Sequence, residues 1–123
     1  MSDKNIPDGK DYQPDPDKTI LLYVSHYKDK YYVNDKLGKL PESIKKELLM
    51  NMIFIAEEAG GVVELGFYPD GEVYIDTYCE EDDMEYDQVS GRLLVSEMEQ
   101  KDKDVLDDLQ IWYLEIMREK GRQ

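Results

Sequence analysis

Apolar positions along the chain follow two periods, and the change from one to the other falls between Leu40 and Gly71. Ile44, Leu48, Met52, Ile55 and Ala59 recur at helical spacing. Leu49, Met50, Ile53 and Phe54 widen that stripe until Leu48–Ala56 is apolar almost all round, interrupted only by Asn51. Such a helix is buried on more than one side. It therefore needs a sheet on one flank and further helices, or a second subunit, on the other. Pro41 suits the first helical position with Glu42 in the first turn, and Gly60-Gly61 supplies the stop.

The period then drops to two. Val63, Leu65 and Phe67 alternate with Val62, Glu64, Gly66 and Tyr68, and Val73, Ile75 and Thr77 alternate with Glu72, Tyr74, Asp76 and Tyr78. A two-residue Asp70-Gly71 turn would set Leu65 against Asp76. A three-residue Pro69-Asp70-Gly71 loop pairs Phe67 with Val73, Leu65 with Ile75 and Val63 with Thr77, with Gly71 in the left-handed bulge position. The three-residue loop is the consistent reading. Upstream, Thr19–Ser25 and Lys30–Asn34 read as a first hairpin. A two-residue turn at Lys28-Asp29 places Val24 opposite Val33 and His26 opposite Tyr31.

Downstream, Tyr86, Val89, Leu93 and Leu94 predict a helix over Tyr86–Glu99, with a Leu93–Val95 strand as the alternative because Gly91 weakens a helix. Asp82 with Glu85 three later suits a capping arrangement. A last helix runs from the N-cap Asp102 to about Lys120, with Val105, Leu106, Leu109, Trp112, Tyr113, Ile116 and Met117 as its stripe. The expected fold is α+β: a four-stranded antiparallel sheet from two β-hairpins joined by a buried helix, order ββαββαα, helices mainly on one face. Residues 1–17, with three prolines and little to bury, read as a flexible N-terminal arm ahead of a single domain over 18–120.

Charge changes the picture more than length does. The net charge of −14 opposes direct contact with nucleic acid or anionic membranes and favours a basic partner. Cys79 is the one cysteine, which rules out an internal disulfide and fits a reducing, cytoplasmic setting. The first residues lack the apolar region of a secretory signal, and no apolar run reaches the ~20 residues of a membrane span.

Candidate chemistry is sparse. His26 is the single histidine and, with Ser25 and Cys79, lies in no nucleophile motif. Zinc needs more Cys and His than are present. Neither Asp15–Asp17 nor Glu80–Asp87 matches a calcium loop, and the acidic run reads first as a solvated loop. No cofactor is expected. What stands out is the second sheet face, which gathers Tyr23, Tyr32, Tyr68, Tyr74 and Tyr78 with Glu64, Glu72 and Asp76 if the two hairpins join. Ten of 123 residues are tyrosine. Rings amid acid suit recognition of a basic surface. The competing reading is that the arm or the last helix covers this face, with a lysine or arginine between Glu64 and Asp76.

At Lys30-Tyr31-Tyr32-Val33-Asn34, Leu40–Leu48, Ala56–Gly61, Asp70-Gly71 and Tyr86-Asp87 the chain resembles a family of small, uncharacterised, acidic proteins from clostridial-type bacteria, over roughly residues 18–118. That resemblance implies no activity, cofactor or site.

The leading expectation is thus a non-enzymatic acidic module for a basic partner, inhibitor or immunity-like. Its binding residues would be Tyr23, Tyr32, Glu64, Tyr68, Glu72, Tyr74, Asp76, Tyr78, Glu80, Glu81, Asp82 and Asp83. The alternatives are a structural homo-oligomer joined through the first or last helix, and a divalent-cation-dependent enzyme or sensor using Glu64, Asp76 and Glu80–Asp83.

Overall fold

The computed structural model describes residues 17–121, so the expected arm lies outside the described residues except for Asp17. The elements are β1 (Thr19–Ser25), β2 (Lys30–Val33), α1 (Glu42–Ala59), β3 (Val62–Phe67), β4 (Val73–Tyr78), α2 (Gln88–Lys101) and α3 (Lys103–Gly121). The order is the expected ββαββαα. All strands pair antiparallel in one sheet of order β2-β1-β3-β4, so the β1–β3 ladder joins the two hairpins.

The second hairpin closes as its alternation predicts. Phe67 pairs with Val73, Leu65 with Ile75 and Val63 with Thr77. The Tyr68 N–H donates to the Glu72 carbonyl at 2.9 Å, and Gly71 takes φ 92°, the left-handed region that glycine adopts without strain.

The first hairpin differs from the sequence reading by two residues. Leu22, not Val24, stands opposite Val33, and Val24 faces Tyr31. The connection is the four residues His26–Asp29, with Asp29 at φ 52°. The reason is competition for His26: its N–H donates to the Gly61 carbonyl at 2.9 Å, extending β1 along β3 instead of β2. A shift of two preserves which face each side chain takes.

A register shift between Ile20 and Leu22 on β1 gives one extra residue there. It turns Leu21 and Leu22 both into the core, at 1 % and 0 % exposure. The helices cover that face. Leu22, Val24, Val63, Leu65, Phe67 and Ile75 meet Leu48, Met52 and Ile55 of α1, Val95 and Met98 of α2, and Leu109 and Tyr113 of α3. The Phe67 ring stacks on Tyr113 with centroids 3.9 Å apart and planes 6° apart. α1 rests on β1 and β3 and packs along another flank against α2, so much of its broad apolar surface is covered from within the chain. Met50 and Phe54 remain exposed on it.

The α2 start also corrects the sequence reading. The helix begins at Gln88 behind Asp87, whose carboxylate accepts the Ser90 N–H at 3.0 Å and the Ser90 hydroxyl at 2.8 Å. Tyr86 stays outside the helix because its ring lies against Gly61 and its hydroxyl is 3.0 Å from Thr77 Oγ1. Leu93–Val95 is helical throughout.

Candidate functional site

The second sheet face is centred on Glu64. Period-two alternation on β3 turns this carboxylate away from the helices, and β4 brings two phenols to it. Tyr74 donates to Glu64 Oε2 at 2.5 Å and Tyr78 to Oε1 at 2.9 Å. Tyr74 reaches that position because its cross-strand partner is Gly66, over which its ring lies. A Cβ on Gly66 would come within 2.3 Å of the Thr19 carbonyl and 2.8 Å of the Tyr74 hydroxyl. Glu64 is 1 % exposed and Tyr23, its partner across the β1–β3 ladder, is also 1 % exposed. Among the described residues, the Tyr23 hydroxyl is buried without a hydrogen-bond partner. Ile20, Tyr23 and Val62 form a small apolar cluster here, flanked by Tyr27, Tyr32 and Tyr78.

The sequence sets Glu64 opposite Asp76, and the register keeps them so. The structure resolves the like-charge conflict by turning the two apart. Glu64 goes to the phenols, and Asp76 goes to Lys18, whose Nζ is 3.6 Å away. The Lys18 ammonium also sits 4.8 Å and 5.3 Å from the Tyr74 and Tyr68 ring centroids. Lys18 thus serves Asp76 and the two rings, while the two phenols donate to Glu64.

The acidic run is ordered by two of its own members. Tyr27 donates to Asp83 Oδ2 at 2.5 Å while its oxygen accepts the Glu80 N–H at 2.9 Å. Asp83 Oδ1 accepts the N–H groups of Glu85 at 2.8 Å and Tyr86 at 3.2 Å. Burial and the adjacent Asp83 push the Tyr27 phenol well above its ordinary range, and the same bond, with the two N–H donors, holds Asp83 below the usual carboxylate range. Asp87 is lowered likewise by the Ser90 N–H and hydroxyl.

The residues expected to bind a partner thus divide. Tyr23, Glu64 and Tyr74 are inside. Tyr32, Tyr68, Tyr78, Glu80 and Asp83 are half-buried, and Glu72, Asp76, Glu81 and Asp82 are exposed. His26 is exposed at the end of β1. Among the described residues, no group of three or more His, Cys, Asp or Glu side chains is arranged to hold a metal ion.

A second polar cluster, at the junction of α1, α2 and α3, was not foreseen. Asn51 Nδ2 donates to Asp102 Oδ2 at 2.6 Å and to Glu47 Oε2 at 3.1 Å, and Lys101 Nζ donates to Asn51 Oδ1 at 3.2 Å. Asp102 is 2 % exposed, and burial together with its bond to Glu47 pushes its carboxyl up. Glu47 is held low by the same bond and by Asn51. The opposite shifts make Asp102 the more basic carboxyl of the pair. The sequence signal was Asn51 itself, a lone amide within an apolar run, which must find partners when buried. Beside it a cavity of about 160 Å³ is lined by Phe54, Ile55, Leu94 and Met98 with Asn51, Glu97 and Lys101.

Among the described residues, no helix is long and apolar enough to cross a membrane. No curated protein and no solved structure matches the chain. The model of a family described as "Family of unknown function (DUF6145)" matches residues 18–121. That span takes in every strand and helix described above, and the chain belongs to this family of unknown function.

Proposed function

We propose that the chain is a non-enzymatic acidic module that binds a basic protein, in an inhibitor- or immunity-like role in the cytoplasm of a clostridial-type bacterium. One observation carries the reading: the acidic loop after β4 is built, not merely charged. Tyr27 and three backbone N–H groups fix Asp83 and Glu80, and Asp87 is committed to capping α2. Glu81, Asp82 and Glu85 are left exposed on this ordered frame, with Asp76 and Glu72 exposed on the adjoining hairpin. A preorganised acidic surface loses little conformational freedom when a cationic partner docks. The net charge of −14 steers such a partner toward it. The half-buried rings of Tyr32, Tyr68 and Tyr78 add apolar area at the margin. The lone cysteine fits the reducing compartment.

Capture from a lysate of the source organism, run at low and at high salt, tests the proposal. A basic protein should be retained at low salt and released as the charges are screened. A triple variant Glu81→Lys, Asp82→Lys, Glu85→Lys should lose it at low salt as well. Absence of any basic partner, or retention indifferent to salt and to the triple variant, overturns the reading.

A further inference from the structure

Every second residue of β4 turns its backbone away from β3. The Tyr68 N–H to Glu72 carbonyl bond fixes the alternation: Tyr74, Asp76 and Tyr78 pair inward with Gly66, Glu64 and Val62. The N–H and C=O groups of Val73, Ile75 and Thr77 consequently point outward, and among the described residues no strand lies on that side. Sheet edges are ordinarily blunted by brevity, lysine or proline. The opposite edge obeys this, since β2 has four residues and begins with Lys30. β4 has six, Val-Tyr-Ile-Asp-Thr-Tyr, with neither lysine nor proline.

α2 runs antiparallel to this edge, with Gly91 against Thr77 and Val95 beside Ile75. Between them lies a groove of about 240 Å³ with Ile75 and Val95 as its apolar lining and Asp76, Thr77, Arg92, Ser96 and Glu99 along it. Arg92 and Glu99 are seven residues apart, about 10 Å along the helix, one on either side of Val95-Ser96. Both are exposed, and neither makes an ion pair among the described residues.

We propose that the β4 edge and its groove take the same edge of a second copy of the chain, about a two-fold axis normal to the sheet at Ile75. The strands then run antiparallel, with Ile75 opposite Ile75 and Val73 opposite Thr77. The rotation that reverses the strands also exchanges the ends of α2. Each Arg92 is carried toward the Glu99 of the other copy, so the two opposite charges meet twice. A surface that complements itself in this way is what an isologous interface requires. A strand from a basic protein would instead bring cations toward Arg92. The resulting eight-stranded sheet ends at both sides in the lysine-bearing β2. The net charge of each copy opposes association from afar, but charges beyond about 8 Å are largely screened at physiological salt.

Sedimentation equilibrium over a concentration series, combined with amide hydrogen exchange on the full chain, tests this. The wild type should dimerise with concentration, and the amides of Val73, Ile75 and Thr77 should exchange more slowly as it does. Arg92→Glu alone, or Glu99→Arg alone, places like charges together at both ends and should weaken the dimer about tenfold or more. The double variant Arg92→Glu, Glu99→Arg should restore it, a rescue that a general loss of folding could not give. A monomer at every concentration overturns the proposal, as does a dimer indifferent to both single variants. A dimer whose three edge amides stay unprotected places the interface elsewhere. A monomer that instead protects these amides on adding a basic peptide assigns the edge to a different protein; both outcomes refute the pairing.

Discussion

Tyr74 donates its hydroxyl to Glu64 at 2.5 Å across the β3–β4 ladder, over a glycine that leaves room for the ring. A carboxylate this deep is tolerable only with donors of this kind, because an unpaired buried charge costs several kcal/mol. Tyr74→Phe keeps the packing and removes one donor. It should lower stability by about 1.5–3 kcal/mol, the range for hydrogen bonds to charged groups, read as a lower urea midpoint with unchanged slope. Glu64→Leu, which removes the carboxylate that accepts from Tyr74 and Tyr78, should cost more than Glu64→Gln, which retains an acceptor. Equal losses for Leu and Gln would mean that the phenols are not organised by the carboxylate.

Tyr23 shows the opposite condition on the same face. Its hydroxyl is buried with no partner among the described residues, a group whose burial costs about 1–3 kcal/mol. Tyr23→Phe removes the oxygen and nothing else, and should raise the thermal midpoint. A fall instead would show that the hydroxyl has a partner in solution, and a crystal structure would then show a bound water or shifted ring beside it.

The acidic loop depends on Tyr27. Tyr27→Phe removes the bond to Asp83 and the acceptor for the Glu80 N–H. The amides of Glu80, Glu85 and Tyr86 should then exchange faster, and the Asp83 carboxyl should titrate closer to its ordinary value. The pH dependence has two limbs. Asp83 and Asp87 are lowered in the folded state, so their contribution is present above the unfolded carboxylate value, near 3.9, and is lost as pH falls through their folded values. Tyr27 is raised, so its contribution is present below the unfolded tyrosine value, near 10, and is lost as pH rises beyond it. The variant should lose the Tyr27 share of the alkaline limb, while Tyr86, raised by its own burial, keeps its share. Unchanged exchange in the loop would show that the turns alone hold it.

Residues that signal through their own chemistry were legible in the sequence. Gly60-Gly61 stops α1 with both residues at positive φ, and Pro69-Asp70-Gly71 fixes the β3–β4 register. The misread register of β1 and β2 came from a nonlocal bond, His26 to Gly61, that no local pattern reports. The α2 start was displaced because the working cap is Asp87 with Ser90, not the Asp82 and Glu85 that the spacing suggested. At the candidate site, the alternation placed Glu64 and the tyrosines on one face correctly. It could not show that Glu64 and Asp76 part company, because that depends on the space above Gly66 and on Lys18 arriving from outside the hairpin. Asn51 was visible as an interruption, but two of its partners, Lys101 and Asp102, lie at the end of α2 about fifty residues away.

That junction gives the last prediction. Asp102 is raised by burial and by its bond to Glu47, so between the unfolded carboxylate value, near 3.9, and its own folded value the folded state holds a proton that the unfolded state has released. Stability should accordingly fall as pH rises through that window, and remain lower above it. Glu47 is lowered and acts in the opposite sense, its contribution being lost as pH falls below its folded value. Asp102→Asn separates the two. The amide can donate to Glu47 and accept from Asn51 at all pH values, so the variant should match or exceed wild-type stability at neutral pH. Its stability should no longer decline above pH 4 on account of this pair, while the acid-side loss from Glu47 remains. Asp102→Ala should be destabilised instead, because Asn51 and Glu47 each lose a buried partner. Urea midpoints measured across pH for the three proteins decide it, with the Asp102 carboxyl followed by NMR. A carboxyl titrating at or below the ordinary aspartate value, or an Asn variant as unstable as the Ala variant, would refute the raised Asp102 carboxyl.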